Sequence, residues 1–209
     1  MSKFDKSKDE STVLRGFNIN DFKATDDEYN IQGHSAVFDQ VTSIGGYFDE
    51  VIERGAFDEC DFSDVSLFIN HNMDMIPLAR ARGLNSDSTL KLEVDDKGLF
   101  IRAKLDIENN SEAKTLYSSI KRGDIDGMSF AFIIKKQTWE NLDKEIPLRR
   151  IQKISKVFEV SAVNNPAYTD TDISARDKRA LEKEKKNIRS KDDKNELELL
   201  RLKFLGGIY

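Results

Sequence analysis

A strict alternation of apolar and polar residues in the middle of the chain constrains its fold more than any other feature. Residues 89–94 alternate with a period of two, and the alternation resumes over residues 99–105. This period matches a strand, whose successive side chains point to opposite faces of a sheet. The intervening Asp95-Asp96-Lys97-Gly98 places a glycine where a turn needs a positive φ. We therefore predict a β-hairpin.

A helix is predicted after the hairpin, over residues 111–121. Candidate N-cap residues occur at 109–111, and Gly123 is a suitable terminator. Apolar residues recur between them at helical spacing: Ala113, Leu116, Tyr117 and Ile120. This spacing is typical of an amphipathic helix with one buried face.

The remaining apolar runs are short and favour strands. Gly55-Ala56-Phe57 leaves open a loop or a short helix, and Asn164-Asn165-Pro166 should end the last strand because proline cannot continue an interior ladder. The predicted fold class is α+β, mainly antiparallel β. Its further strands are expected at residues 29–38, 65–71, 77–84, 127–135 and 148–163.

The composition limits the class of protein. With 209 residues and 13 phenylalanines, the chain can form the core of one medium domain. It has no apolar run near the roughly 20 residues of a membrane-spanning helix, and residues 1–10 form a polar leader unlike a secretory signal. One cysteine permits no internal disulfide and no thiolate zinc cluster. We therefore expect a cytoplasmic protein without a membrane partner.

The charge balance changes near residue 175. Residues 175–209 hold 11 Lys or Arg and 7 Asp or Glu, a surplus of +4, so residues 1–174 carry −9 when the whole chain carries −5. The acidic body argues against a nucleic-acid partner. The tail favours a helix or a helix-prone disordered segment. We predict a flexible leader over 1–10, one domain over 11–174 and a charged tail over 175–209.

Three apolar runs carry side chains of the kinds that a serine hydrolase uses. Ser129 opens one run, His71 closes another, and Glu159 interrupts a third. If the three meet, they supply a nucleophile, a base and an orienting acid, but spacing alone does not establish that they meet. Ala131 stands where the motif Gly-x-Ser-x-Gly has its second glycine, so the α/β-hydrolase elbow is not predicted.

Each candidate also has an ordinary structural interpretation. Ser129 can be an ordinary serine at a strand edge or on a solvent-facing side of a strand. His71 can be a hydrogen-bonded structural residue at a strand end, and Glu159 can point to solvent from its strand. The second histidine, His34, fits a strand face, and Cys60 is interpreted as a small buried residue. A metal site at His71 lacks further His or Cys partners, so no metal or cofactor is predicted.

Seven sequence blocks follow the order and spacing of a known family. They include Gly127-Met128-Ser129-Phe130 and Glu159-Val160-Ser161. Together they resemble the prohead maturation proteases of tailed bacteriophages, whose fold and chemistry resemble those of the herpesvirus assemblins. The seven blocks span most of residues 30–172 and lie at 33–38, 45–52 with 55–57, 67–72 with 77–78, 95–99, 122–130, 159–163 and 165–168.

The resemblance implies a serine endopeptidase with His71 as base, Ser129 as nucleophile and, by motif position, Glu159 as third member. It implies a small closed or partly closed β-barrel of the assemblin type with peripheral helices. Two departures from the family pattern touch none of these residues: Ala79-Arg80 replaces the usual Gly-Arg, and Thr169 stands where proline is common.

The resemblance also implies the biology. Its expected partners are the major capsid protein with its scaffolding segment, and the protease itself as a substrate of autocleavage. A homodimer is a further possible assembly. Its expected location is the immature prohead in the host cytoplasm. The alternative is a catalytically inactive scaffolding protein that binds the capsid protein through its tail. The presence of all three candidate side chains favours the enzyme, and the basic tail suits packaging or later removal.

Overall fold

The computed structural model describes residues 12–18, 21–28, 30–83, 87–164, 177–190, 194 and 197–198. The predicted leader and the end of the predicted tail lie outside these residues. The described strands are, in chain order, β1 (Thr12–Asn18), β2 (Lys23–Ala24), β3 (Ile31–Val37), β4 (Thr42–Ile44), β5 (Phe48–Ile52), β6 (Asp64–Ile69), β7 (Ala79–Arg82), β8 (Leu90–Val94), β9 (Gly98–Ala103), β10 (Gly127–Glu140) and β11 (Leu148–Val163).

The long strand β11 is the centre of a seven-stranded sheet. Antiparallel β10 pairs along one side of it, while β5 and then β6 pair along the other side, both parallel to β11. Strand β1 extends this sheet beyond β10. A separate four-stranded sheet has the strand order β2-β3-β9-β8. The mainly β, α+β class is confirmed. The described strands form no closed barrel, so that part of the prediction is not confirmed.

The predicted hairpin is confirmed, but its glycine has a different function. Strands β8 and β9 are antiparallel, and Asp95 N donates to Gly98 O at 3.0 Å across the turn. Gly98 does not adopt a left-handed φ. A Cβ at this position would lie 2.0 Å from the carbonyl oxygen of Ala36 on β3. Glycine is therefore required by the close approach of two strands and not by the turn.

The predicted helix is confirmed as α1, Ser111–Arg122. The Asn110 side chain accepts hydrogen bonds from Glu112 N and Ala113 N, and Gly123 ends the helix with a φ of 79°. Three residues of the predicted apolar face, Ala113, Leu116 and Ile120, are buried, and the fourth, Tyr117, is half-buried against the core. The optional short helix near Gly55 is absent, since residues 54–59 form turns.

The two central strands of the large sheet share the core. The side chains of Met128, Phe130 and Phe132 on β10 and of Val160 and Ala162 on β11 are all fully buried. Full burial of a phenylalanine side chain stabilises a fold by about 1.5–3 kcal/mol. Strands β10 and β11 are therefore firmly anchored, and they carry two of the three candidate catalytic residues.

A buried ion cluster joins the helical segment described at residues 177–190 to the large sheet. Arg15 of β1 and Arg149 of β11 both contact Glu50 of β5, at 2.5 Å and 3.2 Å. Both also contact Asp177, the first described residue of that helix, at 3.0 Å and 3.1 Å, although the contact with Arg15 lacks hydrogen-bond geometry. Each of the four residues is at most 5% exposed. The two negative charges balance the two positive charges.

We expect Asp177→Ala to lower the free energy of unfolding by about 3–5 kcal/mol, because it leaves Arg15 and Arg149 with one unbalanced buried charge. Urea denaturation measures the change. Glu182→Ala, on an exposed position of the same helix, is the matched control and should change stability by less than about 0.5 kcal/mol. Equal effects of the two substitutions would contradict a buried, structural role for Asp177.

Candidate active site

His71 lies in a strained turn directly after β6. Asn70 and His71 have φ values of 48° and 58°, in the left-handed region that costs a non-glycine residue about 1–3 kcal/mol. The turn is held against the end of β11, because Asn70 N donates to Ala162 O at 3.0 Å and Asn164 N donates to Asn70 Oδ1 at 3.3 Å. The backbone of the candidate base is therefore fixed by contacts with its neighbouring strand.

Glu159 on β11 is fully buried and pairs with His71. Its Oε1 lies 2.6 Å from His71 Nδ1. A buried carboxylate is costly unless it is hydrogen-bonded, and the second oxygen, Oε2, accepts from Ser161 Oγ at 2.6 Å. The solvent-facing alternative for Glu159 therefore does not hold. The parallel pairing of β6 with β11 brings the two residues together across 88 positions of sequence.

The second ring nitrogen of His71, Nε2, is buried and has no hydrogen-bond partner. With the Nδ1 proton shared with Glu159, the lone pair of Nε2 is free to accept a proton. The imidazole ring is therefore oriented as a general base requires, with one nitrogen held by a carboxylate and the other available.

Ser129 lies on β10, one strand away from this pair. Its register partner on β11 is Ser161, and directly opposite residues in an antiparallel pair have Cα atoms about 4.5–5.5 Å apart. Ser129 is fully buried, so the solvent-facing alternative does not hold. Its hydroxyl donates to the carbonyl oxygen of Arg15 on β1 at 2.9 Å. The structure thus joins His71 to Glu159 and places Ser129 nearby, but without a hydrogen bond to His71.

The second histidine has no free ring nitrogen. His34 Nδ1 lies 2.6 Å from Asp21 Oδ2, and Nε2 lies 3.0 Å from Asp95 Oδ2. Burial raises the pKa of Asp21, but hydrogen bonds from Lys97 and His34 outweigh burial and hold this pKa below its usual value. His34 is therefore a buried residue of the four-stranded sheet, hydrogen-bonded through both ring nitrogens, rather than a second candidate base.

Cys60 is a poor alternative nucleophile. It is half-buried, and burial raises the pKa of its thiol to about 12. Because the thiolate is the reactive form of cysteine, the thiol is inert near neutral pH. In the described part of the chain, no group of three or more His, Cys, Asp or Glu side chains is arranged to hold a metal ion.

Two partners in this site were not predicted from the sequence. The first is Ser161, which bonds Glu159, and the second is the Arg15 carbonyl, which holds the Ser129 hydroxyl. The spacing of Glu159 and Ser161 was a usable signal for the first, since residues two apart on a strand share one face. The second depends on the pairing of β1 with β10, for which no local sequence signal exists.

A surface depression of about 370 Å³ adjoins the His71 turn. It is lined by Asn70 and Asn72, the immediate neighbours of His71, and by Ser111, Glu112 and Thr115 of α1. Helix α1 therefore forms one side of an open recess next to the candidate base.

One known protein family matches most of the chain. The family model of the caudovirus prohead serine proteases matches residues 17–187. No curated protein and no solved structure matches the chain. No helix among the residues described has the length and apolar character needed to cross a membrane.

Proposed function

Because the chain belongs to the caudovirus prohead serine protease family, we propose that it is a serine endopeptidase that cleaves the scaffolding segment of the capsid protein. The family acts in capsid maturation, within the phage prohead in the host cell. The observation that carries the proposal is the bond from His71 Nδ1 to the buried Glu159 carboxylate, which leaves Nε2 free, while Ser129 lies on the strand paired with that of Glu159.

The proposed reaction uses the three residues in distinct roles. His71 Nε2 takes the Ser129 proton while Ser129 Oγ attacks the scissile carbonyl carbon, and the protonated imidazole then donates that proton to the leaving amine. Glu159 holds the ring and stabilises the imidazolium through Nδ1. A water molecule, activated in turn by His71, hydrolyses the acyl-enzyme and restores the Ser129 hydroxyl.

One rearrangement is required before the first step. The Ser129 hydroxyl must exchange its hydrogen bond with Arg15 O for one with His71 Nε2. Catalytic hydrogen bonds often tighten only in the complex with substrate. We propose that the Ser129 side chain rotates to make this exchange when substrate binds across the depression beside His71.

Some finer parts of the proposal rest on family membership rather than on the geometry of the site. They are the assemblin-type barrel, cleavage of the protease by itself and formation of a homodimer. A role for residues 175–209 in entry into the prohead rests on the positive charge of that segment. The division into leader, domain and tail also remains a prediction.

Coexpression with the capsid protein tests the proposed function. We expect the wild-type protease to shorten the capsid protein by one defined scaffolding segment, and Ser129→Ala to leave it full length, as measured by intact-protein mass spectrometry. Binding of the capsid protein without cleavage by either form would instead support the inactive scaffolding protein. Cleavage by both forms would reject Ser129 as the nucleophile.

A further inference from the structure

One hydroxyl bridges two members of the candidate triad. Ser161 Oγ donates to Glu159 Oε2 at 2.6 Å and accepts from the backbone N–H of His71 at 3.2 Å. Ser161 and Glu159 are both fully buried, so water does not replace either bond. The same hydroxyl therefore contacts the carboxylate that orients the imidazole and the strained backbone that carries it.

We infer that Ser161 is a positioning residue that fixes Glu159 and His71 relative to each other; this inference rests on the proposed function. Glu159 Oε1 is aimed at His71 Nδ1 because Oε2 is held by the Ser161 proton. The left-handed His71 is held because its N–H is bonded to Ser161 Oγ. Without the hydroxyl, both the carboxylate and the His71 turn lose one fixed contact.

The geometry also distinguishes Ser161 from the nucleophile. Its proton is directed at a carboxylate oxygen, whereas a nucleophilic serine must pass its proton to the free nitrogen of the base. Neither serine contacts His71 Nε2, but the Ser129 hydroxyl is bonded to a carbonyl oxygen outside the triad, Arg15 O, whereas the Ser161 hydroxyl is bonded to two triad members, Glu159 and the His71 backbone. Its role is therefore to orient two other residues, and it does not touch the reacting atoms.

Kinetics of a Ser161→Ala variant test the inference, on a peptide that spans the cleavage site mapped in the capsid protein. We expect kcat to fall about 10- to 100-fold, the range for a lost hydrogen bond to a buried charged group, with KM unchanged because Ser161 does not bind substrate. In a Glu159→Gln background the same substitution should reduce kcat by a smaller factor than in the wild-type background, because the part of the effect that passes through the carboxylate is already lost and only the bond to the His71 N–H remains.

Matched variants keep the result interpretable. Ser35→Ala removes another fully buried strand hydroxyl, on β3, where it donates to Leu99 O, and should leave kcat unchanged. If Ser161→Ala does not fold, Ser161→Cys fills the same space with a weak donor and should show the same fall in kcat.

Three outcomes would overturn the inference while leaving the proposed function intact, provided that Ser129→Ala remains inactive. They are an unchanged kcat, a change in KM alone, and an equal loss from Ser161→Ala in the wild-type and Glu159→Gln backgrounds. An active Ser129→Ala together with an inactive Ser161→Ala would instead reject both the inference and the assigned nucleophile.

Discussion

Ser129→Ala is expected to reduce peptide-bond cleavage by about 10⁴- to 10⁶-fold, the loss typical of removing the nucleophile of a serine protease. The fold should survive, because the substitution removes one oxygen and one hydrogen bond, to Arg15 O. We expect the free energy of unfolding to fall by about 1–3 kcal/mol, as for other single buried hydrogen bonds. Cleavage rates and urea denaturation of the purified protein measure the two effects.

Ser155→Ala is the matched control for this prediction. Ser155 lies on β11, and its hydroxyl donates to Ile133 O on the neighbouring strand, as the Ser129 hydroxyl donates to Arg15 O. The control should keep its cleavage rate within about twofold, since its hydroxyl contacts none of the candidate catalytic residues. A comparable loss in both variants would show that the effect is structural and not catalytic.

Glu159→Gln is expected to lower kcat by about 10³- to 10⁴-fold with little change in the shape of the site. The carboxylate accepts from His71 Nδ1 on one oxygen and from Ser161 Oγ on the other. If the NH2 of the glutamine faces His71, Nδ1 must become the acceptor and the imidazole proton moves to Nε2. Nε2 then cannot take the serine proton, and a neutral amide stabilises the imidazolium less well.

Glu93→Gln, at an exposed position of β8, controls for the loss of one carboxylate elsewhere in the protein. It should change neither kcat nor KM. If Glu159→Gln kept full activity, the buried pair with His71 would be structural, and another group would have to orient the base. A loss confined to KM would likewise contradict the assigned role, because Glu159 is not proposed to contact substrate.

Local sequence patterns predicted the parts of the fold that depend on neighbouring residues. The alternation around Asp95 produced the β8–β9 hairpin, and the spacing of Leu116 and Ile120 produced α1. The parallel pairing of β11 with β5 and β6 was not predicted, because it joins segments about 90 or more residues apart and depends on which strands meet in three dimensions. The contact of Asp177 with Arg15 was not predicted for the same reason, since the two residues are distant in sequence and meet only in the folded protein.

The same distinction between local patterns and long-range strand pairing applies to the candidate site. The types of residue at 71, 129 and 159 were sufficient to suggest a triad, but their geometry depends on two long-range ladders, β6–β11 and β10–β11. Periodicity gave no information about whether Glu159 faced water or His71. It also could not predict that the Ser129 hydroxyl is bonded to Arg15 O, because that bond depends on a third strand, β1.

Covalent labelling with a fluorophosphonate tests the central claim most directly, since this reagent phosphonylates a serine only when a base activates it. Peptide mass spectrometry of the labelled wild-type protein, with the capsid protein present, should locate one adduct on Ser129, and His71→Gln should abolish it. An adduct on Ser161 or another serine, or labelling of Ser129 that persists without His71, would contradict a Ser129 nucleophile activated by His71.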